Sequence, residues 1–458
     1  MPAPPACQAD AVNYRRKKRS QEHAAVSRQG GGAGRAPLDH PLVLQGEADV
    51  VTTHEQLGDL VAEVVSHGVV AYDTEFIGEE SFYPKLCLIQ VATPNRLALV
   101  DPIPFGATGA DLSGLGALFR AIAAPGRTVL VHSGDTDVDI LRRGAGIEPT
   151  DLFDTQVAAA MAWMPWPSSL GNVLESLAGY RLGKAHTFTN WDARPLTSAQ
   201  LGYATDDVRY LHLMWQLLGE RLDALGRRRW AARESHEQLR GSEFDPDGQM
   251  RRIQRTEPLR PGQAVVAREL VTLRHGLARK HDLPARVVMP DASVIELSKR
   301  KPADRAAVLS FSGMPRRILQ EHASDIAEAI MRAKALTPDS ERGNPLADDP
   351  RIRAEADQVW SALQARCAAV GLAANLVATR AAFSRWYLAQ VEARRAGRGL
   401  ATTEGEDALF AAGDWRHEAM GTWLDGFLDG KERLELEWTG NGMVAPGMRR
   451  PGPVASTS

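Results

Sequence analysis

The sequence predicts an α/β layered domain followed by all-helical modules. Three observations carry that expectation: strand patterns alternate with helical ones between residues 41 and 240, only helical periodicity follows residue 261, and a polar, Pro-containing stretch at 241–260 separates the two. Residues 1–40 mix Pro, Ala, Gln, basic residues and a Gly-rich run without apolar periodicity, which predicts a disordered tail. Residues 61–72 read as a helix end, a turn at Gly68 and an apolar strand. Residues 86–92 and 97–100 give two more strands about the Pro94-Asn95 turn, so a three-strand meander is expected. A helix near 115–123, a strand over 128–132, a helix over 135–143 and mostly helical segments to about residue 238 complete the first domain.

The stretch 241–260 reads as a linker, and residues 261–337 as a bundle of short helices, apolar every third or fourth residue and broken at Pro284, Pro290 and Pro302. After a second linker, residues 350–440 form another helical block, with Trp360, Trp386, Trp415 and Trp423 as core anchors and a Gly/Pro/Ser tail at 441–458.

A length of 458 residues calls for two to four domains, and 44% hydrophobic with 24% charged residues is an ordinary globular composition. No apolar run approaches the ~18 residues of a membrane helix. The basic residues Arg15 to Arg19 precede no apolar segment, so no secretory signal is expected and the cytoplasm is the default location. Cys7, Cys87 and Cys367 lie far apart without a CxxC pair, which argues against a disulfide framework or a cysteine-built zinc site and leaves any metal to oxygen ligands. The net charge of -3 is uneven: about +4 over 1–40, -9 over 41–240, +4 over 241–340 and -2 beyond. That pattern suits a polyanion substrate met by a carboxylate-rich site with a basic neighbour, although excess charge is more often only solvated surface.

Asp73 and Glu75 end the apolar run Val69-Val70-Ala71-Tyr72, and strand residues two apart share a face. Paired acids at a half-buried strand tip resist joint ionisation unless a cation or hydrogen bonds compensate; a solvated strand edge is the alternative. Asp135, Asp137 and Asp139 open a helix, where acids also complement the helix dipole. Tyr203 and Asp207 stand one helical turn apart on one face, with Asp206 turned away.

The order of these groups, DTEF at 73–76, HSGDTDVDIL at 132–141 and YATDDVRYL at 203–211, resembles the ribonuclease D family, the tyrosine branch of the DEDD 3'-5' exonucleases. The resemblance covers residues 68–216 and includes FYPKLCLIQ at 82–90, FDTQ at 153–156 and WDARPL at 191–196. It implies a ribonuclease H-like α/β exonuclease domain in which Asp73, Glu75, Asp137 and Asp207 hold two divalent cations, Mg²⁺ or Mn²⁺, and Tyr203 positions the attacking water. A metal pair about 4 Å apart supplies an activated nucleophile and clamps both reacting oxygens, and hard carboxylates suit such ions. Asp135 and Asp139 are then helix-start and surface residues, and Asn190 stands where relatives usually carry an acid.

Phe76 is a candidate to stack on the terminal base, and Lys184 and Arg194 to touch phosphates, each with core packing or solvation as the alternative. Residues 261–337 resemble an HRDC domain, with Arg274, Arg279, Lys280, Lys299, Arg300, Lys301, Arg316 and Arg317 as possible phosphate contacts; residues 350–440 resemble a diverged second copy. On this view removal of residues 256–458 leaves the catalytic residues in place. The expected activity is release of nucleoside 5'-monophosphates from RNA with a free single-stranded 3' end, with tRNA precursors as the expected substrates. The alternatives are a DNA-directed exonuclease of the same superfamily and a non-catalytic nucleic-acid-binding protein.

Overall fold

The computed structural model describes residues 36–107, 109–183, 190–239, 244–335, 346, 349–396, 409–440 and 442–448. The first domain runs β1 (Asp49–Val51), α1 (His54–Ser66), β2 (Val69–Ile77), β3 (Lys85–Ala92), β4 (Leu97–Val100), α2 (Gly116–Ile122), β5 (Thr128–Val131), α3 (Asp135–Ala145), β6 (Asp151–Asp154), α4 (Thr155–Ala160), α5 (Leu170–Ala178), α6 (Ser198–Arg209), α7 (Leu211–Ala224) and α8 (Arg228–Leu239). The six strands form one mixed sheet ordered β1-β4-β3-β2-β5-β6. β2 pairs antiparallel with β3 and parallel with β5, so the expected meander is present at the centre of the sheet. β1 and β6 were not expected. With three and four residues, and acids on both ends of β6, they are too short to show a period of two.

Alternation along β2 separates two cores: Val70 and Tyr72 pack with α1, α2 and α3, whereas Ala71 faces the layer built by α4, α5 and α7. The sheet is therefore buried on both faces, which explains its near-continuous apolar strands. Helix α6 crosses β2, β3 and β4, its start fixed by a capping box between Thr197 and Gln200. Helix α3 begins beside β5 because Gly134 permits the approach: a Cβ there would lie 2.8 Å from Cβ of Val131.

The linker expected over 241–260 contains a helix, α9 (Pro246–Thr256), whose Met250 and Ile253 pack into the next module. Its Pro-Asp-Gly start reads as a turn, and its two apolar residues sit in a segment otherwise polar and charged. That module comprises α10 (Pro261–His281), α11 (Ala285–Val288), α12 (Asp291–Arg300), α13 (Arg305–Leu309) and α14 (Arg316–Ala335). The Phe82-Tyr83 loop joins it to the first domain: Phe82 meets His275 edge-on at 5.2 Å, and the Tyr83 N–H donates to Asp282 at 2.9 Å.

The C-terminal block, α15 (Pro350–Val370), α16 (Ala374–Val377), α17 (Arg380–Arg395), α18 (Thr422–Leu428), β7 (Glu437–Thr439) and β8 (Gly442–Val444), is not a free-standing second module. Trp360, Trp386 and Trp415 share one apolar core with Leu213, Met214 and Leu218 of α7. The Trp163 N–H donates to the Gly371 carbonyl at 3.1 Å, and the Ala373 N–H to that of Ala160 at 2.9 Å. Glycine is required at 371, where φ is +74° and a Cβ would lie 2.2 Å from the Trp163 indole. The carboxylate of Glu234, 1% exposed, accepts from Trp415 Nε1 and Arg416 Nη2, each at 2.6 Å.

Residues 36–40 and 442–448, expected within the tails, are placed against the fold. The Tyr180 hydroxyl donates to the Ala36 carbonyl at 2.7 Å, and the Ala445 N–H donates to the Ala369 carbonyl at 2.8 Å beside buried Val444; residues 1–35 and 449–458 lie outside the described residues.

Removal of residues 256–458 would thus strip the exonuclease core, contrary to the sequence-based expectation. Trp415→Ala is expected to lower the stability of the first domain by about 3–5 kcal/mol, the ordinary cost of a deleted core indole. An unchanged denaturation midpoint would show that the C-terminal block merely rests on the domain.

Candidate active site

One carboxyl oxygen from each of Asp73, Glu75 and Asp207 lies within 4.8 Å of the other two. Asp73 and Glu75 come from one face of β2, opposite Gln90 and Leu88 of β3. Asp207 arrives from α6, packed across the same strands. Asp137 stands apart from this triad in the first turn of α3, buried, and its Oδ1 accepts the hydroxyl proton of Thr74, the residue between the two strand acids. Its acidic neighbours are engaged elsewhere: Asp135 accepts from the Thr136 N–H at 2.8 Å, and Asp139 pairs with Arg143 at 3.3 Å.

Burial and mutual repulsion govern the electrostatics. Asp73 is pushed well above the usual carboxylate range by burial and then by Asp137, Asp207 and Glu75. Asp207 is raised in the same way by burial and by Glu75. Glu75 rises to about 8 through burial and Asp137. Asp137 rises to about 6, burial being countered by the Thr74 hydroxyl. Such a set ionises fully only with cationic compensation, and its all-oxygen donors match hard divalent ions. The residues present fit a divalent-metal site.

Tyr203 lies one turn before Asp207, its ring 6.1 Å from that of Trp191 and tilted 39° to it. Burial and the carboxylates of Asp207, Glu75 and Asp73 raise its phenol further, so it remains a hydrogen-bond donor. Trp191, buried in the small core with Leu88, Leu99 and Ala204, lies beside the site, a role that the WDARPL motif alone does not assign to it. A conspicuous indole in a polar loop was the available signal.

Phe76 follows a bulge between Glu75 and Phe76 that redirects the strand, and it packs half-buried against the α1 to α3 core. Arg194 is not a free phosphate ligand. Its Nε and Nη2 donate to Asp101 at 2.6 and 2.8 Å, Nη2 also to the Cys87 carbonyl at 2.8 Å, and Nη1 to the Trp191 carbonyl at 2.9 Å. It ties the tryptophan loop to β3. Lys184 lies outside the described residues. In the helical module Arg274 is also a structural clamp, 3% exposed and bound to Asp291 at 2.5 Å, so the basic surface is narrower than the sequence suggested. Asn190 accepts the Asp192 N–H at 3.1 Å through its side chain, shaping the same loop as Arg194.

A family model described as 3'-5' exonuclease matches residues 48–223, and one described as HRDC domain matches residues 263–330. The mixed sheet and its carboxylate cluster thus define a 3'-5' exonuclease. The chain is 33% identical over 290 residues to ribonuclease D of Gluconacetobacter diazotrophicus, spanning 63% of this chain and 72% of that one. It is 30% identical over 306 residues to ribonuclease D of Nitrobacter hamburgensis, with 66% and 78% covered. Among solved structures it is similar to Escherichia coli RNase D, described as an exoribonuclease involved in structured RNA processing, with a TM-score of 0.65, 27% identity, and 85% and 100% of the two chains covered. The chain belongs to the ribonuclease D family, as an exonuclease domain of α/β type followed by a helical HRDC region. It is a 3'-5' exoribonuclease. The exonuclease superfamily is dependent on divalent metal, and Asp73, Glu75 and Asp207 are acidic residues that could bind such an ion. Among the described residues, no helix is long and apolar enough to cross a membrane.

Proposed function

We propose that this chain removes nucleotides one at a time from single-stranded RNA 3' ends, tRNA precursors among them, releasing nucleoside 5'-monophosphates in the cytoplasm. The observation that carries the reading is the convergence of Asp73, Glu75 and Asp207 within 4.8 Å beside a protonated Tyr203. Asp73, Glu75, Asp207 and, from α3, Asp137 are the residues that would hold two Mg²⁺ or Mn²⁺ ions. When bound, such ions neutralise the phosphodiester's charge and make a nucleophile available at neutral pH.

The chain's own residues do the rest. Tyr203, its ring packed beside that of Trp191, orients the water through its hydroxyl; its raised pKa suits a donor and not a base. Phe76, next to Glu75 on the bulge, offers an aromatic face to the terminal base. Arg194 keeps the tryptophan loop in place through Asp101. Exposed Arg316 and Arg317 of the HRDC module supply sequence-independent attraction to phosphates. The family resemblance supports tRNA precursors, and the free, buried thiols of Cys87 and Cys367 agree with a reducing compartment.

The test is digestion of matched RNA and DNA oligonucleotides, single-stranded or with a paired 3' end, in Mg²⁺ and in Mn²⁺. Monophosphates should appear chiefly from single-stranded RNA, and precursor tRNA with a 3' trailer should shorten stepwise. Equal or faster loss of DNA would favour the DNA-directed alternative. Metal-independent binding without shortening would favour a binding module.

A further inference from the structure

The HRDC module carries a second cluster of ligating atoms, on elements that contribute nothing to the carboxylate site. His281 ends α10, and Glu321 and His322 lie in the first half of α14. The two imidazole Nε2 atoms are 2.9 Å apart, and Glu321 Oε1 is 3.3 Å from His322 Nε2 and 3.7 Å from His281 Nε2. We propose that His281, Glu321 and His322 form a zinc site that staples α10 to α14.

Three features support the assignment. First, ligand atoms about 2.0–2.1 Å from one tetrahedral ion stand roughly 3.3–3.4 Å from each other, and the three separations straddle that edge. Second, His322 is 4% exposed and its Nδ1 lies 2.7 Å from Asp325 Oδ2. A carboxylate there fixes the proton on Nδ1 and turns the Nε2 lone pair toward the cluster, the outer-shell arrangement found behind zinc-bound histidines. Third, two nitrogens and one oxygen suit zinc, whereas the all-oxygen set of the exonuclease domain suits harder ions. Glu321 is 40% exposed, so water can complete the fourth position. Its other partner is Lys280, 3.4 Å from the same oxygen, on an exposed side chain able to swing away.

The site also has a structural consequence. Asp282, the residue after His281, accepts the Tyr83 N–H from the exonuclease domain. A metal at His281 therefore fixes the end of α10 that contacts the loop following the DTEF strand.

The experiment uses the full chain, stripped with a chelator and held in excess Mg²⁺ to occupy the carboxylate cluster. Co²⁺ serves as the probe, because its four-coordinate complexes absorb visibly far more strongly than six-coordinate ones, and Zn²⁺ then displaces it. Wild type and Asp73→Asn should both develop the band and lose it on adding one equivalent of Zn²⁺. His281→Gln and His322→Gln should lack it, and Asp325→Asn should bind Zn²⁺ roughly tenfold more weakly. Absence of the band in wild type, its persistence in His281→Gln, or its loss in Asp73→Asn would overturn the proposal. His281, at the helix end, keeps the test decisive if the buried His322 variant fails to fold.

Discussion

Asp73→Asn is expected to reduce RNA cleavage by at least roughly 10³-fold, because removing one ligand charge forfeits several kcal/mol of transition-state stabilisation. The same change should raise the melting temperature of the metal-free protein. Asp73, Glu75 and Asp207 all have folded-state pKa values above the ordinary range, so the native state binds more protons than the unfolded one. Stability of the metal-free protein then falls as pH rises from about 4, the unfolded carboxylate value, through the folded value of about 8 at Glu75. Asn at 73 removes one repelling charge and flattens that slope. Thermal melts across this window with and without divalent ion, set beside single-turnover cleavage, check both halves. Near-wild-type turnover, or a metal-free variant that melts lower at pH 8, would contradict the assignment of Asp73.

Tyr203→Phe should lower kcat by roughly 10²-fold, with KM and metal affinity little changed. Phenylalanine preserves the packing on Trp191 and in the core of Leu88 and Ala204, and removes only the hydroxyl. Asp207→Asn, one turn along the same face, should instead weaken metal binding and regain part of its activity in excess Mn²⁺. Rescue of Tyr203→Phe by metal would mean that the phenol supports a ligand and does not orient water.

What the sequence reveals about this site follows the range of each interaction. Asp73 with Glu75, and Tyr203 with Asp207, are spaced by the repeats of strand and helix, so local periodicity alone puts each pair on a common face. Asp137 needed the family resemblance, since a first-turn aspartate is equally a helix-dipole residue until its bond to Thr74, 63 residues earlier, is seen. Arg194 misleads for the same reason: its partner Asp101 is 93 residues away, and an arginine in a loop looks free without it. The docking of 350–448 on the first domain was illegible because each half shows only its own apolar faces. Glu234 in particular reads as surface charge until Trp415 and Arg416, more than 180 residues later, are folded around it.

That return of the chain orders events during synthesis. Helix α8 emerges from the ribosome long before the segment that covers it, with the whole HRDC module in between. The module, with its own core, can fold while the nuclease domain still presents an uncovered apolar flank. Glu234 has the nearby Gln238 amide as a donor from the start, but gains Trp415 and Arg416 only when those residues have been made. A translating ribosome therefore carries an exonuclease domain whose packing stays incomplete until the segment through Arg416 has been made, and a product truncated before it is born with the fault built in.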